Sequence, residues 1–115
     1  MKISTKNAPH FRWGQDCDGW WLKNEGHFTV VYEIMPAGSA ELKHYHLETE
    51  QFFYCLQGQL TIELDSFSET LQAHQGLTIK ANIPHQAKNK SGKPCVFLVI
   101  SSPNLSEGRI NLAEK

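Results

Sequence analysis

The feature that most constrains this chain is the run Leu60-Thr61-Ile62-Glu63-Leu64-Asp65. Apolar and polar residues alternate strictly, which is the pattern of a strand with one face in a core and one in water. Similar short runs recur along the chain, separated by turn residues, and a helical repeat is almost absent. Phe28 to Met35, Glu41 to His46, Gln51 to Leu56 and Gln59 to Asp65 read as strands. So do Glu69 to Ala73, Gly76 to Lys80, His85 to Asn89 and Cys95 to Ser101. Pro36-Ala37-Gly38, Gln57-Gly58 and Ser66-Phe67-Ser68 supply turns. Many short strands with turns between them predict an all-β sandwich or barrel. The 115 residues suffice for one domain, 1–115, with a single core.

The chemistry concentrates in Lys43-His44-Tyr45-His46. Strand side chains alternate faces, so His44 and His46 point the same way, roughly 6.6 Å apart along the chain. That spacing suits two imidazoles on one metal ion. A third histidine, His85, lies in Ile83-Pro84-His85-Gln86-Ala87-Lys88-Asn89. Parity puts His85, Ala87 and Asn89 on one face. His10, His27 and His74 have no partner at metal spacing.

At these residues the chain resembles the cupin superfamily. The first cupin motif, G-x5-H-x-H-x3,4-E-x6-G, is matched by Gly38, His44, His46 and Gly58, over about 38–58. Its glutamate position, counted back from Gly58, is Gln51; Glu50 satisfies only the count forward from His46. The second motif, G-x5-P-x-G-x2-H-x3-N, falls over about 74–89. His85 and Asn89 keep their spacing, while His74, Lys80 and Asn82 stand where two glycines and a proline are usual. Asn82 is a tolerable substitute, because asparagine enters the left-handed region more readily than most residues.

The resemblance implies a cupin-type double-stranded β-helix, a jelly-roll barrel. It also implies a divalent transition metal held by His44, His46, His85 and a fourth ligand: Gln51, Glu50 or water. Imidazole and oxygen donors suit iron, manganese, nickel or zinc without choosing among them. Glutamine offers a neutral carbonyl oxygen, so an ion held by it keeps its full charge and attracts an anionic chelating substrate. Such a site also lacks the carboxylate that could act as base. The expected function is a metal-binding small-molecule cupin, a dioxygenase-like oxidoreductase on a chelating substrate. Alternatives are a metal-dependent isomerase or lyase, and a non-catalytic binding or sensor module. Phe53 and Cys55 share the face of Gln51, and Leu60, Ile62, Ile79 and Ile83 are its expected neighbours. Glu50 is expected to face outward, and Asn89 to hold a loop.

Composition narrows the partners. The net charge is -1 and the only arginines are Arg12 and Arg109, so nothing suggests nucleic acid. No apolar run reaches membrane-spanning length. Cys17, Cys55 and Cys95 are widely spaced and form no C-x-x-C, which makes a reducing cytoplasm the simplest compartment. Cys95 to Ile100 is apolar on both faces, and Phe11, Trp13, Trp20 and Trp21 crowd the N-terminal segment. Together with the resemblance they imply a homodimer. Near the C-terminus, Ser106-Glu107-Gly108-Arg109 reads as a turn, with Ile110 and Leu112 in a short edge strand.

Overall fold

The structure, a computed structural model, describes residues 1–103 and 108–112. Eleven strands and no helix occur among them. The strands are β1 (His10–Trp13), β2 (Cys17–Asn24), β3 (Thr29–Met35), β4 (His44–His46), β5 (Glu50–Gln57) and β6 (Leu60–Glu63). They continue as β7 (Ser68–Leu71), β8 (Gly76–Ile79), β9 (Gln86–Lys88), β10 (Cys95–Ser102) and β11 (Arg109–Asn111). One sheet has the order β1-β2-β3-β10-β5-β8; β7-β6-β9 form a second, and β11-β4 pair separately. All pairings are antiparallel, and the non-consecutive neighbours are those of a jelly roll. Among the described residues no helix is long and apolar enough to cross a membrane.

The core lies between the sheets. Phe53 and Cys55 from β5, Phe97 and Val99 from β10, and Leu60 and Ile62 from β6 meet there. Leu60 and Ile62 are wholly buried, as their alternation predicts. Thr61, expected in water, is buried too at 4% exposure, because β7 pairs alongside it and Thr70 Oγ1 lies 3.1 Å from Thr61 Oγ1. Burying side chains of this size contributes about 1.5–3 kcal/mol each. Gly58 turns β5 into β6 with φ +79, and a Cβ there would lie 2.8 Å from the Pro94 carbonyl oxygen. Glycine is therefore required twice over at that position.

Two strands were not expected. β1 and β2 form a hairpin that extends the large sheet. Its turn places Gly14 at φ +54 and Asp16 at φ +61. Within β2, a Cβ on Gly19 would stand 2.3 Å from the Phe11 ring, so the glycine gives that ring its place over the sheet. The expected strand from Glu41 shrinks to His44–His46. The chain departs from the ladder because the Glu41 carboxylate accepts the Ala87 N–H at 2.9 Å, where a backbone carbonyl would normally do so. The edge strand foreseen near Ile110 is β11, paired with β4. Of the expected turn before it, Ser106 and Glu107 lie outside the described residues, while Gly108 has φ +87.

Asn82 takes φ +67, the left-handed conformation expected of it, and His74 takes φ +71. Asn89 holds its loop through Nδ2, which donates to the Met35 and Lys93 carbonyls at 3.0 and 2.7 Å.

Candidate metal centre and its cavity

The three histidines converge because a backbone bridge locks them together. The His44 N–H donates to the His85 carbonyl at 3.0 Å, and the His85 N–H returns to the His44 carbonyl at 2.9 Å. Residues exchanging both bonds face each other across strands, so their rings lie side by side. Ring centroids are 4.4 Å apart for His44–His85, 4.9 Å for His44–His46 and 6.1 Å for His46–His85. One ligand atom from each lies within 4.8 Å of the others. All three residues are buried, at 4% exposure or less.

Their protonation follows from their partners. Nδ1 of His44 lies 2.9 Å from the Leu42 carbonyl oxygen, and Nδ1 of His85 lies 2.8 Å from that of Ile83. A carbonyl only accepts, so Nδ1 carries the hydrogen in both rings and Nε2 keeps a lone pair. Both ring nitrogens of His46 are buried without a hydrogen-bond partner. Burial first, then mutual and Arg109 repulsion, hold the rings neutral. His44 is lowered to about 3 despite its bond to Leu42, and His46 to about 4. His85 is lowered by burial, against its bond to Ile83. Three neutral imidazoles with unused lone pairs in one place are costly to bury and fit a divalent ion well.

Gln51, on β5, joins this group. Its Nε2 donates to Ser101 Oγ at 3.2 Å, and its Oε1 lies 3.1 Å from His85 Nε2. With the His85 proton on Nδ1, two acceptors face each other. Either a cation on that side of the pair or an amide turned end for end resolves the conflict. Glu50 points the other way, as its parity predicts, and takes an exposed bond from Lys80 at 2.9 Å.

His44, His46 and Gln51 of this group line a cavity of about 440 Å³. Phe53, Phe97 and Val99 form one wall, and Phe11, Trp13 and Trp21 from the β1–β2 hairpin another. Of the expected neighbours of Gln51, Phe53 lines the cavity. Cys55, Leu60, Ile62 and Ile79 are packed in the core, and Ile83 is 41% exposed. His10 lies 2.8 Å from Asp18, away from the metal group, and His27 and His74 are exposed.

Three charged residues of the cavity escaped sequence reasoning. Glu41 has Oε1 3.8 Å from His44 Nδ1 and 4.0 Å from an Arg109 nitrogen. Burial raises its pKa to about 7, against the Ala87 N–H and Arg109. Glu33 also lines the cavity; burial and then Glu41 raise it well above the usual carboxylate range, against Arg109. The available signal was parity, since Glu33 shares the inner face of β3 with Val31 and Met35. Arg109 arrives on β11, and only the pairing of Arg109 with His46 puts it here.

A family model for the cupin domain matches residues 30–101. The chain is 38% identical to polyketide synthase CurC of Streptomyces cyaneus over 70 residues, 61% of this chain and 46% of that protein. It is 36% identical to quercetin 2,3-dioxygenase of Bacillus subtilis over 61 residues, 53% of this chain and 18% of that protein. The chain thus spans less than half the length of either relative. Among solved structures, the polyketide cyclase RemF from Streptomyces resistomycificus matches with a TM-score of 0.83 at 16% identity. That match covers 100% of this chain and 87% of RemF, and it speaks for the fold alone.

Proposed function

The chain belongs to the cupin domain family, and from that premise we propose that it is a metal-dependent enzyme for a small oxygenated substrate. In this reading His44, His46 and His85 hold a divalent ion, with Gln51 or water as fourth ligand, and the reaction is proton removal next to a carbonyl. The observation that carries it is the convergence of three imidazoles, two of which, His44 and His46, line a cavity that also holds the Glu41 carboxyl. A divalent ion supplies Lewis acidity toward a bound oxygen there.

The chain's own groups supply the rest. The aromatic walls exclude water and orient a flat substrate. Glu41 takes the proton from the carbon next to the carbonyl, and the released electron pair moves onto the carbonyl oxygen. Arg109 places a positive charge beside Glu41, where it favours an anionic substrate. Glu41 supplies the base that Gln51 cannot, which removes the main objection to an isomerase or lyase. The 38% identity with a polyketide synthase supports an enolisable substrate.

A dioxygenase is the second reading, favoured by the 36% identity with quercetin 2,3-dioxygenase. Elemental analysis of the purified protein comes first. Diketones, hydroxyketones and catechols are then screened under argon and under air, following deuterium uptake from heavy water and oxygen consumption. Turnover under argon is the expected result. Turnover only with stoichiometric oxygen uptake replaces the lyase reading by the dioxygenase. Protein that neither contains nor takes up metal overturns both.

A further inference from the structure

The cavity has a second polar pole that the metal reading does not use. Thr29, Ser101 and Gln51 form one row across the inner face of the large sheet, beside His85. The next inward-facing row is Val31, Val99 and Phe53, all apolar and buried. The row beyond it carries Glu33, opposite Gly19 on one side and Phe97 on the other. Four residues along a strand separate Thr29 from Glu33, roughly 13 Å of backbone.

Glu33 is conspicuous in that row. Val31 and Met35 flank it on its own face, at 2% and 0% exposure. Glu33 itself is half-buried; among the described residues its carboxyl has no hydrogen-bond or ion-pair partner, and its side chain lines the cavity. Carboxyls are seldom kept inside a barrel without a partner, because losing water costs more than the fold regains. Burial favours its protonated form, and Glu41 and Arg109 are the charged groups that act on it. A neutral carboxyl both donates and accepts one hydrogen bond.

The space between the poles is shaped by rings. Gly19 lies directly opposite Glu33, and the Phe11 ring occupies the place where a Cβ on Gly19 would be. Phe11 therefore stands beside Glu33, with Trp21 at a ring distance of 5.4 Å from it. Trp13 Nε1 is buried without a partner.

We propose that Glu33 is a ligand-recognition residue, and that the cavity takes a planar fused-ring aromatic molecule with oxygens at both ends. Two adjacent oxygens lie at the histidine pole. A hydroxyl or carbonyl at the far end exchanges a hydrogen bond with Glu33. The ring system lies against the apolar row and the hairpin aromatics. The inference rests on the metal-chelating reading of the site and names its substrate class. A cavity of about 440 Å³ is within the range that holds such a ligand.

The test uses zinc-loaded protein and two probes, 2,3-dihydroxynaphthalene and 2,3,6-trihydroxynaphthalene. Both carry the chelating pair, and only the second carries a far-end hydroxyl. Quenching of tryptophan fluorescence gives the affinities, since Trp13 and Trp21 line the cavity. The expected result is about tenfold tighter binding of the trihydroxy probe, about 1.4 kcal/mol. Glu33→Leu should abolish that preference, and Glu33→Gln, which still hydrogen-bonds, should keep part of it. Equal affinities in the wild type, or a preference that survives in Glu33→Leu, overturn the role of Glu33. Failure of both probes to bind overturns the aromatic class. Probes that bind zinc-free protein as tightly as loaded protein overturn the chelating reading, while the preference still reports on Glu33.

Discussion

Replacing Glu41 by glutamine should change how the stability of the metal-free protein depends on pH. The folded pKa of Glu41 is about 7, against an ordinary value of 4.5, and its side chain is only 11% exposed. The folded state therefore holds a proton that the unfolded state has released between those values. A raised carboxyl pKa contributes stability that is present below pH 4.5 and lost as pH rises through about 7. The full shift corresponds to about 3.4 kcal/mol at 1.36 kcal/mol per pH unit. Between pH 5 and pH 8 the part lost is about 2.5 kcal/mol. Glutamine keeps the carbonyl oxygen that accepts the Ala87 N–H and carries no titrating proton. Urea unfolding in the presence of a chelator should show wild type losing about 2.5 kcal/mol more than Glu41→Gln over that interval. The lowered histidine pKa values act with the opposite sign, destabilising the fold as pH falls below about 6.5, and they are common to both proteins. Parallel curves, within about 0.5 kcal/mol, would show that Arg109 and Ala87 hold Glu41 at an ordinary pKa and would refute the reasoning.

The His44→Ala, His46→Ala double variant should lose bound metal and keep its far-ultraviolet dichroism, because the core of Phe97, Leu60 and Ile62 lies apart from the triad. Metal retained at full occupancy after desalting contradicts this. Gln51→Glu should raise metal affinity by more than twofold, roughly 0.4 kcal/mol, if the side-chain oxygen reaches the ion. Equal affinities in a competitive titration remove Gln51 from the ligand set. The protein should be a homodimer, with twice the 13.1 kDa chain mass by light scattering. The outer face of the large sheet carries half-buried Trp20, Tyr32, Leu98 and Ile100 beside exposed Phe52, a broad apolar surface for one small domain. A monomer mass at micromolar concentration refutes this.

What the sequence revealed, and what it hid, follows from the range of the interactions. Alternation is a local signal, so β6 and the shared face of His44 and His46 could be read residue by residue. His85 needed only one more parity count. The β1–β2 hairpin was hidden because Gly14, Asp16 and Gly19 interrupt it with residues that ordinarily break strands. Two of these set the turn, and the third makes room for Phe11. Glu41 was hidden for a different reason. It reads as an ordinary polar residue in a strand, and only its bond to Ala87, far along the chain, turns its carboxylate into the cavity. Arg109 needs a strand pairing with His46 before its position means anything.

The division has a physical cause. A metal site can be built from neighbours on one strand and its partner, because its ligands must sit within a few ångströms of one point. The groups proposed to act on a substrate instead surround a cavity of about 440 Å³, so they come from elements distant in sequence. Glu33, Glu41 and Arg109 arrive on β3, on the irregular approach to β4 and on β11. No local pattern joins them. The histidine spacing therefore points to the candidate metal centre, while the inward-facing acids and the hairpin aromatics, which line the cavity beside it, carry no such local signal. Sequence reading of such barrels should accordingly count charged residues at inward parity on every strand, since Glu33 between Val31 and Met35 was visible by that rule alone.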